Sequence, residues 1–371
     1  MSSPTAVGRY AVAVCIAAAL PLKWSLRAGF VRLFVPAALG LLLSSCGGGS
    51  GSPTQPTPPP TTPPTNPPPT NPQLWTVRGQ VVQSGTGQPV PGARLTPETG
   101  SAVVADASGR FEIGSNQNPP FTPYLVTVEA DGHVTREARI NWQRGVRDGV
   151  IVDIFPNALP FSLDFYREFI RDTFDNPAEL DIWRRLPQNP SFYLETVDER
   201  GRDVDPDTRR LVAELLSATV HEYSGGRLAV DRIEEGRDPR PDTPGWIAIK
   251  FLSETDEAIC GRARVGADAG LITLLYNRPG CSCGTRWRIH PKVVRHEVGH
   301  ALGFFHVSDP VAVMAPGQFQ LCQDKAISGI ERHHASLAYQ RPRGSQDPDK
   351  DPRNIGFLLG PAQPPIEISC R

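Results

Sequence analysis

Alternation of apolar and polar residues separates a β-rich first part of the chain from a mixed second part. The segment Val77-Arg78-Gly79-Gln80-Val81-Val82 alternates and stops at Gly85-Thr86-Gly87. Residues 89–95 resume the pattern, 109–113 form a short run after a turn, and 124–130 form another that ends at Asp131-Gly132. Strand-length runs separated by Gly, Pro and Asp turns predict an all-β sandwich over residues 74–155.

Beyond residue 156 the period changes. Residues 163–174 and 177–185 read as helical or irregular lead-in segments, and 191–196 as a strand. Asp205-Pro206-Asp207-Thr208 opens a helix: an aspartate cap precedes Leu211, Val212, Leu215, Leu216 and Val220 at helical spacing. Residues 227–233 and 245–251 read as strands. The apolar run 270–276 is expected to be an edge strand bordering a cleft, and 327–339 a final helix. Pro291 suits the first turn of a further helix. These elements predict a multidomain chain, in which an α+β domain with a mixed twisted sheet occupies residues 156–371.

The first 73 residues do not fit a folded pattern. Lys23, Arg27 and Arg32 precede an apolar run over 34–43, and Leu43-Ser44-Ser45-Cys46 follows. This resembles a bacterial lipoprotein signal, with residues 1–45 removed and Cys46 lipidated. Gly47, in place of an aspartate, implies by that resemblance an outer-membrane destination in the cell envelope. A second apolar run over 11–20 leaves the true start open. Residues 46–73 hold a Gly/Ser tether and a tract of Pro, Thr, Asn and Gln that cannot bury a core. Twenty such residues in polyproline II reach roughly 60 Å, which suits a stalk above a membrane.

Composition removes some functions and leaves others. The 38 basic and 39 acidic residues balance to −1 without a basic stripe, so nucleic acid is not an expected partner. Once Cys15 and Cys46 are set aside, Cys260, Cys281, Cys283, Cys322 and Cys370 remain. They suggest two disulfides and one free thiol in an oxidising compartment, with the connectivity open. Asp347, Asp349 and Asp351 are candidates for a Ca2+ site or for an exposed acidic loop, and the residues favour the loop.

The chemistry concentrates in His296-Glu297-Val298-Gly299-His300-Ala301-Leu302-Gly303-Phe304-Phe305-His306. Residues four apart share a helical face, so His296 and His300 can bind one metal ion. Glu297 projects beside that ion, where it can take a proton from a zinc-bound water. Gly303 accepts a left-handed conformation, which stops the helix and turns His306 back towards the ion. Three neutral nitrogen ligands and an open position describe a catalytic Zn2+ site. His133, His221, His290, His333 and His334 are assigned no metal role. Asp309 is either a partner orienting a ligand or a turn residue before Pro310.

This motif, with Met314 following in Val313-Met314-Ala315-Pro316, resembles the metzincin metalloproteases, most closely the matrixin-type arrangement. The resemblance implies a zinc endopeptidase acting on extracellular or envelope proteins. It implies that Met314 underlies the metal site in a tight turn, and that Pro316, Gly317 and Phe319 help wall the substrate pocket. It also implies an edge strand to which extended substrate adds. The segment around Gly87-Gln88-Pro89-Val90-Pro91-Gly92-Ala93 and Ala105-Asp106-Ala107-Ser108-Gly109-Arg110-Phe111 resembles the carboxypeptidase regulatory-like domain, of transthyretin-like fold. That resemblance implies an accessory module. The alternative is a surface-binding or adhesion lipoprotein with a vestigial protease fold.

Overall fold

In a computed structural model, the described residues are 75–115, 124–141, 145–254, 259–284, 288–317, 324–353 and 365–370. The export signal, Cys46, the Pro-rich tract and Phe319 lie outside them. The β-rich part holds β1 (Trp75–Gln83), β2 (Arg94–Pro97), β3 (Val103–Val104), β4 (Arg110–Ser115), β5 (Tyr124–Glu129), β6 (Arg136–Ile140) and β7 (Gly145–Ile154). One sheet has the order β4-β1-β7 and the other β3-β2-β5-β6. Val77, Val81, Phe111 and Ile113 share a core with Leu95, Val126, Val128 and Ile140.

Two of these strands escape the apolar pattern. β6 reads Arg-Glu-Ala-Arg-Ile, and β7 carries Gly145, Asp148 and Gly149, which resemble turn residues. Parallel pairing with β1 holds β7 extended despite them. Conversely, residues 89–95 give a strand only from Arg94 onward. Pro89 and Pro91 lack the amide that a ladder needs, and the stretch before Arg94 is tied by a Val82–Pro89 bridge, by the Val90 amide on Val81 O at 2.9 Å, and by Ala105, which accepts from Gly92 N at 3.1 Å and donates to Ala93 O at 2.8 Å.

The second part holds α1 (Leu163–Arg171), β8 (Ser191–Asp198), α2 (Pro206–Tyr223), β9 (Ile233–Gly236), β10 (Trp246–Leu252), β11 (Gly261–Arg264), β12 (Gly270–Leu275), α3 (Pro279–Ser282), α4 (Pro291–Ala301), α5 (Gly329–Ala338) and β13 (Glu367–Cys370). Their strands form a mixed sheet of order β13-β11-β12-β10-β8-β9. β12, β10, β8 and β9 run parallel, whereas β11 is antiparallel to both β12 and β13. The Asp205 side chain caps α2 by accepting the Thr208 amide at 3.0 Å. α4 packs against β11 and β12, and a large apolar core joins the helices to the sheet.

Two strand expectations need correction. The run 270–276 does not lie at an edge: β12 is enclosed between β11 and β10. Residues 227–232 are irregular, and β9 begins only at Ile233. Side-chain acceptors intercept the amides that a ladder would use. Ser224 Oγ takes Leu228 N at 2.9 Å, and Asn189 Oδ1 takes Ala229 N at 3.1 Å.

A buried ion-pair network joins the sandwich to the segment after α5. Arg341, fully buried, bonds Asp349 through Nε and Nη2 at 2.5 and 2.7 Å, and Asp153 through Nη1 at 2.6 Å. Arg136 of β6 bridges Asp153 at 2.5 Å and Asp351 at 3.2 Å. Burial alone would raise the Asp153 carboxyl, but the guanidinium groups of Arg341 and Arg136 outweigh it and hold the group well below the ordinary range. Asp347 pairs with Arg167 through two bonds of 2.9 Å. The aspartates of 347–351 therefore do not form an exposed acidic loop; each is committed to an arginine.

Candidate metal centre and active site

Helix α4 and its C-terminal turn build the site. His290 caps the N-terminus, accepting Lys292 N at 3.2 Å, and Pro291 fills the first helical position. At the other end Gly303 N bonds His300 O at 2.8 Å and Phe304 N bonds Gly299 O at 3.1 Å. These are the paired bonds of a Schellman cap, and Gly303 adopts the left-handed φ of 109° that it requires. The chain then reverses. Phe305 N is held by Phe169 O of α1 at 2.8 Å, and His306 returns towards the helix.

The three imidazoles converge. Nε2 of His300 lies 3.0 Å from Nε2 of His296 and 3.3 Å from Nε2 of His306, and the third side of the triangle is 3.2 Å. Each opposite nitrogen has an acceptor. His296 Nδ1–H donates to Val313 O, His300 Nδ1–H to Phe304 O, and His306 Nδ1–H to the Asp175 carboxylate, each at 2.7 Å. These bonds place the proton on Nδ1 and leave three Nε2 lone pairs facing one point. Burial first, and the neighbouring imidazoles second, push His296 and His300 well below the ordinary histidine range, so neither accepts a second proton readily.

The arrangement fits a divalent ion. Nitrogens about 2.0–2.1 Å from a tetrahedral zinc stand roughly 3.3 Å apart, close to the separations seen. Among the described residues these histidines are the group of three or more His, Cys, Asp or Glu side chains able to hold a metal. Glu297 supplies the second indication. It is fully buried, and neither carboxylate oxygen has a hydrogen-bond partner. Burial pushes its carboxyl well above the usual range. A buried carboxylate with no hydrogen-bond partner is costly unless an opposite charge or a donor compensates it.

The surroundings fix these groups in place. Glu297 lies across the Cα of Gly261 on β11, where a Cβ would meet Oε1 at 2.5 Å. Met314 is buried with its Sδ against Gly299, where a Cβ would meet it at 2.4 Å. The Met314 amide donates to Glu331 Oε1 at 3.0 Å, and Tyr223 Oη donates to the same oxygen at 3.2 Å. Glu331 also closes a capping box with Ser328 at the start of α5. Cys260, next to Gly261, is disulfide-bonded to Cys281 of α3, and Cys283 is disulfide-bonded as well.

The structure brings His296, His300 and His306 together, whereas Glu297, next to His296 on the same helix, has its carboxylate against Gly261, and Met314 packs against Gly299. Pro316 is half-buried and Gly317 exposed after that turn. Asp309 is a turn residue that takes the Val311 amide at 3.0 Å. The orienting carboxylate is instead Asp175, 131 residues away in sequence. Glu331 was equally unmarked, and its only local signal is the Ser328-x-x-Glu331 spacing of a capping box. His334 is buried between Phe161 and Phe165, with its ring bonded to Ser162 and Ile330.

No curated protein sequence matches the chain. Among solved structures, it is similar to archaemetzincin from Methanopyrus kandleri at 14% identity, covering 42% of this chain and 97% of that one, with a TM-score of 0.31. It is similar to a zinc-dependent peptidase from Methanocorpusculum labreanum at 15% identity, covering 40% and 100%, with a TM-score of 0.26. A chain of a type II cohesin–X-dockerin complex from Acetivibrio cellulolyticus matches at 21% identity over 22% of this chain, with a TM-score of 0.18; the match spans about half, 56%, of that chain. The family match is to the carboxypeptidase regulatory-like domain, over residues 76–154, which is the β-sandwich segment.

Proposed function

We propose that this chain is a zinc-dependent endopeptidase of metzincin type. The observation that carries the proposal is the convergence of three histidine Nε2 atoms on one point, two of them from a helix that also carries the buried, unpartnered carboxylate of Glu297. His296, His300 and His306 would hold the ion, and Asp175 would orient His306. When bound, zinc supplies Lewis acidity for the scissile carbonyl and lowers the pKa of water towards neutrality.

The chain's own groups do the rest. Glu297 takes a proton from the attacking water and passes it to the leaving amine nitrogen. Met314 supports the histidines from below, and Pro316, Gly317 and Phe319 are assigned to the substrate pocket. We read residues 74–155 as a transthyretin-like accessory domain and 156–371 as the peptidase domain. Cys46 is assigned to lipid anchoring at the bacterial cell envelope, with envelope or extracellular proteins as substrates.

The test is Glu297→Ala in zinc-loaded protein, with casein as substrate. Chelator-sensitive cleavage is expected in the wild type, and its loss in the variant while zinc content stays equal. Equal cleavage by the two proteins would refute the mechanism. Absence of chelator-sensitive cleavage by the zinc-loaded wild type would favour the adhesion reading instead.

A further inference from the structure

The turn that follows α4 sits in a cage of aromatic rings. Phe304 stacks on Phe169 with ring centroids 4.2 Å apart, lies 5.2 Å from both Trp183 and Tyr223, and lies 6.0 Å from Tyr339. Its carbonyl is the acceptor for His300 Nδ1, so the placement of this residue sets the orientation of a histidine ligand. Tyr339 adds a direct bond. Its Oη donates to Leu302 O at 2.9 Å. Leu302 is the C-cap of α4, and a carbonyl at that position has no acceptor role inside the helix.

Trp183 and Tyr339 are tied to the segment after α5, and that segment is tied to the sandwich. Trp183 N donates to Ser345 O at 2.9 Å, and Gly344 N donates to Trp183 O at 2.8 Å. Arg185 Nη1 donates to the carbonyls of Tyr339 and Arg341 at 2.8 and 3.1 Å. On the sandwich side, Arg341 Nη1 donates to Asp153 Oδ2 at 2.6 Å and Nη2 to Ser84 Oγ at 3.2 Å. Ser84 Oγ in turn donates to Asp153 Oδ2 at 2.6 Å. Residues 349–351 also pair with β6: Glu137 N donates to Asp349 O at 3.0 Å, and Asp351 N to Glu137 O at 2.9 Å. The tyrosine that meets the end of α4 therefore stands beside a fully buried guanidinium locked into the sandwich.

We propose that the β-sandwich is part of the scaffold of the metal centre. Asp153 and Ser84 fix Arg341, Arg341 fixes the backbone that follows α5, and Tyr339 and Trp183 hold the turn from which His306 returns to the site. Tyr339 and Arg341 are positioning residues, acting through Leu302 and Phe304 rather than on the ion. This rests on the metal-binding reading above and adds to it a dependence on a domain otherwise read as accessory. Its consequence is that zinc affinity responds to residues of the sandwich.

Zinc affinity of the full chain is read by competition with a chromophoric chelator, and ligand geometry by the visible absorption of the Co2+-loaded protein. Tyr339→Phe keeps the ring and removes the bond to Leu302 O, and is expected to weaken zinc binding about tenfold. Asp153→Asn acts from the sandwich but strips a charge from a buried network, so it is paired with Ser84→Ala, which leaves every ion pair in place. Each is expected to weaken zinc binding about three- to thirtyfold, the range for substitutions along a coupled network. In a Tyr339→Phe background the same two changes should cost less than they do alone, because they share one route. The Co2+ absorption is expected to change in step with affinity. A purely structural role would lower the urea midpoint and leave both readouts of the folded protein at wild-type values. Wild-type zinc affinity in every sandwich variant that folds overturns the proposal, even if casein is cut with chelator sensitivity. Weakened zinc binding in those variants, with no casein cleavage by any zinc-loaded form, leaves the coupling standing and removes the peptidase reading.

Discussion

A Cβ on Gly261 would stand 2.5 Å from Oε1 of Glu297 and 2.7 Å from its Cγ. The carboxylate of Glu297, the proposed general base, is positioned by a missing side chain on the neighbouring strand. Gly261→Ala should therefore push the carboxylate aside while leaving the three histidines alone. We expect casein turnover to fall about a hundredfold, the scale of loss for a displacement near 1 Å, with zinc content unchanged. Wild-type turnover with alanine at this position would show that Glu297 does not depend on that floor.

Asp175 accepts the Nδ1 proton of His306 at 2.7 Å. It fixes the tautomer and raises the basicity of the facing nitrogen. Asp175→Ala should weaken zinc binding about ten- to hundredfold, the usual range for losing a carboxylate behind a histidine ligand. Chelator competition measures this directly. Asp175→Asn keeps an acceptor oxygen and should lie between the two.

Gly299 sits inside α4, where alanine would improve helix propensity by about 1 kcal/mol. The added methyl would meet Met314 Sδ at 2.4 Å and Tyr223 at 3.2 Å. Overpacking of a closed core costs about 1–3 kcal/mol, so the balance is destabilising. Urea unfolding of zinc-free Gly299→Ala is expected to show a lower midpoint. A rise in the midpoint would mean that Met314 repacks freely.

Asp153 lies between Arg136 and Arg341. Removing its charge leaves two buried cations short of a partner, so Asp153→Asn should cost about 3–5 kcal/mol. The pH dependence follows from its lowered carboxyl. A group depressed in the fold contributes stability that is complete above its unfolded pKa, about 3.9, and is lost as pH falls through the folded value. The gap in urea stability between wild type and Asp153→Asn should therefore be constant above about pH 5 and narrow below pH 4. A gap that persists unchanged at pH 3 would assign the loss to packing rather than charge.

The local features of the site were legible in the chain because they depend on spacing along one helix. The four-residue step from His296 to His300, the stop at Gly303 and the Asp205 cap each concern neighbours in sequence, and backbone geometry fixes such relations. The same holds for β4, whose alternation reports one buried face, and for the apolar runs of β1 and β5. Pairings between distant segments leave no comparable mark. Asp175 reaches His306 and Glu331 reaches Met314 only because α1 and α5 pack where they do. β7 reads as turns until β1 supplies its ladder. The aspartates 347–351 read as an exposed loop until Arg136, Arg167 and Arg341 surround them. Strand order was likewise undetermined: β12 has the apolar run of any central strand, and nothing in its residues tells which edge β11 and β13 will take. Sequence determined which groups can bind a metal, whereas tertiary packing decided which carboxylate meets His306 and which strand lies across Glu297, because those contacts are made by chain segments far apart in sequence.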